Sequence, residues 1–456
     1  MKIIVLNGSP KGMISVTMQY VHYIQKHFPE HELKIINVTN QMKKIKKGGQ
    51  IFENILEEVR LADGMIWATP VYYLLVPANY KHFIELIFER EEAAAFKKKP
   101  AAVLTTSVKF YDHTAHNYLN AICDDLNMNF MGCYSADMAD LKKAKERDRL
   151  RLFAENFFYA IENETTFPKR FAPVTWQTSE YRPGQVKEKV NGLDKKILVI
   201  TDSEKHQTNL RKMVEQLTRS FSTKVEVVNL HEVDVKGSCL GCLQCGYDNH
   251  CTWEEKDGFV QFFNSRVKTA DILIFAGTIK DRYLSCKWKC FFDRSFFNNH
   301  VPVLIGKQVG FMISGPLRQL PNLRQILETY VEFHQANLVG FVTDEERSKE
   351  IDKAIQNLAS YLVRFARQQY IKPRTFLSIG GLKVLRDEVY SRLRFVFRAD
   401  YLAYRRLRLF DFPQKDYSSR IFNMMMPLLK LPVFRQEMNK RMTREMIKPL
   451  KKIIDK

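Results

Sequence analysis

Short apolar runs recur along the first two-thirds of the chain, each followed by a polar loop and then by positions repeating at helical spacing. Residues 2–6, 33–36, 64–68 and 101–104 form one such series. Runs of this length, without strict polar alternation, predict strands buried on both faces, with helices between them. The series then starts again at residues 196–200, followed by 225–228, 271–276 and 309–313 in the same order. That repetition predicts a duplicated α/β unit, with two parallel sheets each wound on both faces.

The loops after these strands carry the first chemistry. Residues 2–6 run into Asn7-Gly8-Ser9-Pro10-Lys11, and Ser15, Val16 and Thr17 open the next helical pattern. A small-residue loop after a buried strand, with hydroxyls at the following helix N-terminus, is a place to hold a phosphate. Gly8 lets the backbone come close, and Ser9, Ser15 and Thr17 can donate hydrogen bonds. Neither the Walker A spacing nor G-x-G-x-x-G is present, which points to a mononucleotide such as FMN rather than ATP or NAD. The competing reading of Gly8-Ser9-Pro10 is an ordinary turn. Two further loops favour the ligand: Thr69-Pro70-Val71-Tyr72-Tyr73 continuing to Val76-Pro77-Ala78, and Thr105-Thr106-Ser107. Ligands of open α/β sheets sit at the carboxyl ends of the strands, so the three loops are expected to converge.

Those three segments resemble the NADPH-dependent FMN reductase group of flavodoxin-like proteins. The resemblance implies two tandem flavodoxin-like doubly wound parallel sheets of order 2-1-3-4-5, with FMN on the first and NAD(P)H as co-substrate. It gives the phosphate role to Ser9, Ser15 and Thr17, with Pro10, Lys11 and Val16 in the same loop. Pro70, Val71, Tyr72 and Tyr73 take the place flanking the isoalloxazine, and Thr105, Thr106 and Ser107 contact the ring or ribityl chain. Flavin chemistry needs no side-chain acid or base, so no catalytic residue is assigned. His113 and His116 near the third loop are candidates for substrate contact, or plain surface residues.

The second half keeps the pattern and loses most of this signature. Asp202-Ser203-Glu204, followed by Lys205, replaces the Gly-Ser-Pro turn, and its carboxylates oppose a phosphate. It gains Cys239, Cys242, Cys245 and Cys251, a C-x-x-C-x-x-C-x5-C run in a loop with Gly241 and Gly246. Four thiols so close together suit a [4Fe-4S] cluster. Ligand-free thiols and a zinc site stay open as alternatives. The spacing resembles that of iron-sulfur flavoproteins, in which such a cluster exchanges electrons with FMN. Cys123, Cys133, Cys286 and Cys290 sit in apolar patterns and read as buried packing residues.

Composition adds compartment and partners. Eight cysteines at metal-type spacing suit a reducing cytoplasm. No leader is read at the start, and no apolar run approaches the roughly 18 residues of a membrane helix. The formal charge is +20, and residues 372–456 hold 21 basic against 8 acidic residues. This basic α-helical C-terminal region can pack on the core, or on a second subunit to make a homo-oligomer. It can also meet anionic lipid as a peripheral membrane contact, or an acidic electron-donor protein. No nucleic-acid motif accompanies the charge. The expected division is a flavodoxin-like FMN-binding domain over 1–165, a linker over 166–194, a second flavodoxin-like domain with the four cysteines over 195–372, and the basic helical region over 373–456. The expected function is electron transfer through flavin, from NAD(P)H or a protein donor to a small-molecule or protein acceptor, with a flavodoxin-like carrier that docks on other redox proteins as the alternative.

Overall fold

Ile3, Ile4, Val5 and Leu6 are fully buried, so the first apolar run can only be a central strand. Burying each such side chain contributes roughly 1.5–3 kcal/mol, and both faces of the strand are used. In the computed structural model, which describes residues 1–176, 179–192, 194–204, 208–411, 424 and 426–454, this run is β1 (Lys2–Asn7). It lies between β2 (Glu32–Ile36) and β3 (Gly64–Pro70) in a parallel sheet completed by β4 (Pro100–Ser107) and β5 (Asn129–Asp137), in the order β2-β1-β3-β4-β5. The second sheet repeats that order as β7-β6-β8-β9-β10, from β6 (Ile197–Thr201), β7 (Val225–Asn229), β8 (Ile272–Thr278), β9 (Gln308–Ser314) and β10 (Asn337–Thr343). The tandem flavodoxin-like architecture is therefore present. The expectations for Lys205, for parts of the linker, and for residues 412–423, 425, 455 and 456 of the basic C-terminal region fall outside the described residues.

The first sheet is covered by α1 (Val16–His27), α2 (Val38–Lys47), α3 (Gly49–Leu61), α4 (Ala78–Glu89), α5 (Asp112–Asp125) and α6 (Ala144–Glu162). The second carries α7 (Asn209–Arg219), the one-turn α8 (Cys245–Asp248) and α9 (Phe259–Phe262), α10 (Cys286–Ser295), α11 (Pro321–Phe333) and α12 (Ser348–Gln368). Then follow α13 (Phe376–Tyr390) and α14 (Arg398–Arg406). The chain divides into two compact units, Met1–Ala403 and Tyr404–Lys456. Both sheets and α13 thus belong to one body, and a continuous core cluster runs from Ile4 and Trp67 of the first sheet to Trp288 and Phe311 of the second.

The halves meet through α4 and α10, the helices that follow the third strand of each sheet. They match position for position. Each has Lys at its fourth residue and an acid at its eighth: Lys81 with Glu85, and Lys289 with Asp293. Each acid caps the other helix. Asp293 accepts from the Ala78 amide at 2.7 Å, and Glu85 accepts from the Cys286 amide at 3.0 Å. A pseudo-two-fold axis therefore relates the halves, and first-turn amides that a helix cannot satisfy itself are satisfied across it. Arg282 adds a bidentate pair with Asp125 and a bond to the Ala172 carbonyl in the connecting strap. Cys123 is buried as the sequence pattern predicts, whereas Cys133 is exposed, because β5 is an edge strand with one neighbour.

Candidate active site

The first loop forms a donor-lined cradle. Ser15 caps α1, accepting from the Met18 amide at 3.2 Å, which leaves its hydroxyl proton for another acceptor. The amides of Val16 and Thr17 begin the helix and have no intrahelical acceptor. Thr17 Oγ1 lies 2.6 Å from Thr106 Oγ1, joining the first loop to the third, and Ser9, Ser15 and Thr17 are all buried. Lys11 adds a cation at the rim. A side chain at Gly8 would press on Thr69 and Tyr80, so the chain can pass here only as glycine. Hydroxyls, amides and an ammonium group, with no carboxylate in the loop, fit a phosphate dianion.

The second loop is held by the opposite half. Tyr72 and Leu75 exchange backbone hydrogen bonds at 2.7 and 3.0 Å, closing a turn in which Tyr73 and Leu74 adopt positive φ of 41° and 66°. Lys289 Nζ donates to the Tyr72 carbonyl at 2.9 Å, and the Tyr73 hydroxyl pairs with His334 Nε2 at 2.8 Å. Burial pushes His334 down to about 3, so that ring is neutral at physiological pH. Asp293, buried beneath the loop, is pushed up to about 6 by desolvation, which the Lys289 charge opposes.

These loops open into one cavity of about 290 Å³. Ser9, Lys11, Ser15, Val16, Thr17, Pro70, Val71, Tyr72, Tyr73, Thr106 and Ser107 all line it. Pro10 and Thr105 do not; the Thr105 hydroxyl is taken by His116 Nε2 at 2.6 Å, and His113 pairs with Gln325. The remaining wall comes from places no local motif marks. Phe296, Asn299, His300 and Tyr330 enter from the second half, and Leu385, Leu393, Val396 and Phe397 close it from α13 and the segment after it. Arg392 locks that segment with a bidentate pair to Asp137 at 2.5 Å. His300 Nδ1 lies 2.6 Å from the buried carboxylate of Asp400, which also accepts from the His300 amide at 3.0 Å.

A second, smaller cavity adjoins the first. Cys239, Cys242, Cys245 and Cys251 line it together with Trp253, Arg294, Phe296 and Phe297. Burial raises the Cys239, Cys245 and Cys251 thiols, and each also feels the charge of a neighbouring cysteine. The Gly241 amide points at Cys239 Sγ at 3.4 Å. Gly241 has φ +60°, and a side chain there would collide with the Tyr72 hydroxyl, so the cysteine loop rests directly on the second loop of the first half. Zinc with tetrahedral bonds of about 2.3 Å needs sulfurs about 3.8 Å apart. Among the described residues, the one trio of metal-ligating types within 4.8 Å of one another is His82, Glu85 and Cys286, so the four thiols are spread more widely than zinc requires.

At the matching strand end of the second half stands a buried carboxyl, Asp202. Asp202 accepts from the Thr278 amide at 3.1 Å and from the Ser285 hydroxyl, and desolvation pushes it up to about 6. A carboxyl with a raised folded-state value binds more protons in the native state, so its contribution falls as pH rises from about 4 to about 6. Asp202→Asn is therefore expected to be more stable than the parent above pH 7, by about 2–3 kcal/mol, with the gap closing below pH 4. Denaturant melts at pH 4, 5, 6 and 8 measure this.

The model of the NADPH-dependent FMN reductase family matches residues 1–139 and 195–346, one segment on each sheet. The chain belongs to that family of flavin-dependent oxidoreductases, in tandem duplication. A comparison with curated proteins gave no match. Solved structures similar to it include an NADH:FMN oxidoreductase in apo form (18% identity, covering 35% of this chain and 89% of that one, TM-score 0.31). The flavoenzyme NAD(P)H:(acceptor) oxidoreductase of Paracoccus denitrificans is another (20%, 36% and 97%, TM-score 0.29). An FMN-dependent NADH-azoreductase of Bacillus anthracis, solved with FMN, is a third (14%, 36% and 99%, TM-score 0.27).

Proposed function

We propose that the chain is an NAD(P)H-dependent oxidoreductase that holds FMN in the larger cavity and a [4Fe-4S] cluster on Cys239, Cys242, Cys245 and Cys251. The observation that carries this reading is that the two cavities share a wall: Cys239, Gly241, Leu243 and Phe296 line both. FMN held there would supply hydride and single-electron chemistry, and a cluster on the four cysteines would supply one-electron chemistry.

The chain's own residues then have separate tasks. Ser9, Ser15, Thr17 and the first amides of α1 hold the phosphate. Lys289, through the Tyr72 carbonyl, fixes the loop beside the ring. Leu385, Leu393, Val396 and Phe397 exclude water from the reacting face, and the Arg392–Asp137 pair keeps them there. His300, oriented by Asp400, stands at the cavity wall where a substrate can meet its ring. The eight cysteines, all free in the structure, suit a reducing compartment such as the cytoplasm.

Absorption spectra with iron and acid-labile sulfide assays on protein purified without oxygen test the proposal. Flavin bands over a broad shoulder, with about four irons per chain, are the expected result. Flavin without iron overturns the cluster, and a colourless protein overturns the reading altogether. Within the cradle, Thr17→Val removes one donor to a charged oxygen, a loss of about 1.5–3 kcal/mol. FMN binding to the apoprotein, followed by quenching of flavin fluorescence, is expected to weaken about 10- to 100-fold.

A further inference from the structure

The second compact unit, Tyr404–Lys456, carries a surface that the redox chemistry does not use. Its sequence holds 14 basic and 5 acidic residues, a net charge of +9. It ends in a 23-residue helix, α15 (Pro432–Ile454). Along α15, Phe434, Met438, Met442, Met446, Leu450 and Ile454 recur at every fourth position. At 100° per residue successive members of this set advance by about 40°, so the sequence pattern winds around one side of the helix, with Ile447 and Ile453 on the same side. Lys440, Arg441, Lys448 and Lys451 fall on the remaining arc. The apolar side is not used up within its own unit: Leu450, Ile453 and Ile454 are 57%, 71% and 78% exposed, and Met424, Met426 and Leu431 just upstream are also exposed.

We infer that α15 docks this protein on an anionic bilayer surface, lying in the headgroup plane with its aliphatic stripe among the acyl chains and its cations at the lipid phosphates. Among the described residues no helix is long and apolar enough to cross a membrane, so the mode is interfacial. Both halves of the surface are satisfied only by such a partner. A nucleic acid takes the charge and leaves the aliphatic side chains in water. A second copy of the unit sets +9 against +9. Cations near an anionic leaflet and a buried apolar face together supply the two signals that peripheral anchoring needs. This inference does not depend on the cofactors.

The test uses the full chain in flotation assays with phosphatidylcholine vesicles and with vesicles containing 30% phosphatidylglycerol (about one anionic lipid in three, a composition chosen to give a strongly negative surface). The expected result is binding to the anionic vesicles alone, weakened by high salt. Lys448→Gln with Lys451→Gln should lower partitioning about 25-fold, at about fivefold for each cation. Ile453→Ser with Ile454→Ser should lower it at least about tenfold at unchanged charge, with the thermal midpoint of the main unit unaltered. Three results overturn the inference. The first is an absence of vesicle binding. The second is tighter binding to a DNA duplex that the Ile453/Ile454 variant retains. The third is self-association without lipid that this variant abolishes.

Discussion

Alanine at Cys245 and Cys251 together is expected to strip iron and acid-labile sulfide from the purified chain to background, while FMN stays at one per chain. The separation follows from the walls of the two cavities. These two sulfurs line only the smaller one, whereas Cys239 reaches both. The rest of the cavity lining, Leu240, Gly241, Leu243, Thr252, Trp253, Arg294, Phe296 and Phe297, brings no thiolate, imidazole or carboxylate to replace the two lost sulfurs. Arg294 is moreover held by Asp257 through bonds of 2.7 and 2.8 Å. Stopped-flow mixing with NADPH should still bleach the flavin, since the cradle and the ring loop are untouched. Steady reduction of a one-electron acceptor should fall at least about 100-fold, the scale of losing a required transfer step. A parent protein with one zinc and no sulfide, or with neither, would sink the electron-relay reading while leaving the flavin site intact.

The sequence pattern yields eight of the ten strands: interior ones such as β1, apolar on both faces, have no other stable environment, and the edge strands β2 and β7 still keep Leu33, Ile35, Val225 and Val227 at alternate positions. The two it does not mark, β5 and β10, are each one of the two edge strands of their sheet. Each has one neighbour and a half-exposed face, and each register slips near a glycine, at Gly132 and Gly340. Gly132 and Gly340 interrupt what would otherwise read as apolar runs there. The same logic divides the site. The cradle and the second loop follow strands and carry their small residues and hydroxyls consecutively, which makes them legible. Asp293, Asn299 and His300 reach the cavity across the pseudo-two-fold axis, and the Asp400 that orients His300 lies in a helix remote in sequence. No window of sequence contains both members of such a pair. Leu385, Leu393 and Phe397 alternate with arginines at helical spacing, which describes a solvated helix as well as it describes a cover. Only the position of α13 against α11 and the bond from Arg392 to Asp137 decides between them.

Asp293→Ala is expected to destabilise the main unit by about 3–5 kcal/mol, the range for removing one partner of a buried pair. Two groups lose their acceptor at once. Lys289 is fully buried beside Asp293, and the Ala78 amide at the start of α4 has no helical partner. Lys289 keeps its bond to the Tyr72 carbonyl, so the isolated ammonium is left against the ring loop, and its value, already lowered by burial, falls further. Asp293→Asn separates the two losses. An amide oxygen can still accept from Ala78, so the variant should recover part of the stability while leaving Lys289 without a counter-charge. The sequence-equivalent pair provides the control. Glu85→Ala should cost a similar amount, because it strands Lys81 and the Cys286 amide, although Asp281 at 3.3 Å remains as a second partner for Lys81 and should soften the loss. Only Asp293 stands behind the ring loop, so only its replacement should also weaken FMN binding. Urea melts followed by tryptophan fluorescence, run with and without excess FMN, distinguish the two. A stability loss shared by both variants with an FMN effect confined to Asp293→Ala means that one half of a symmetric interface has been put to work as the second wall of the flavin site.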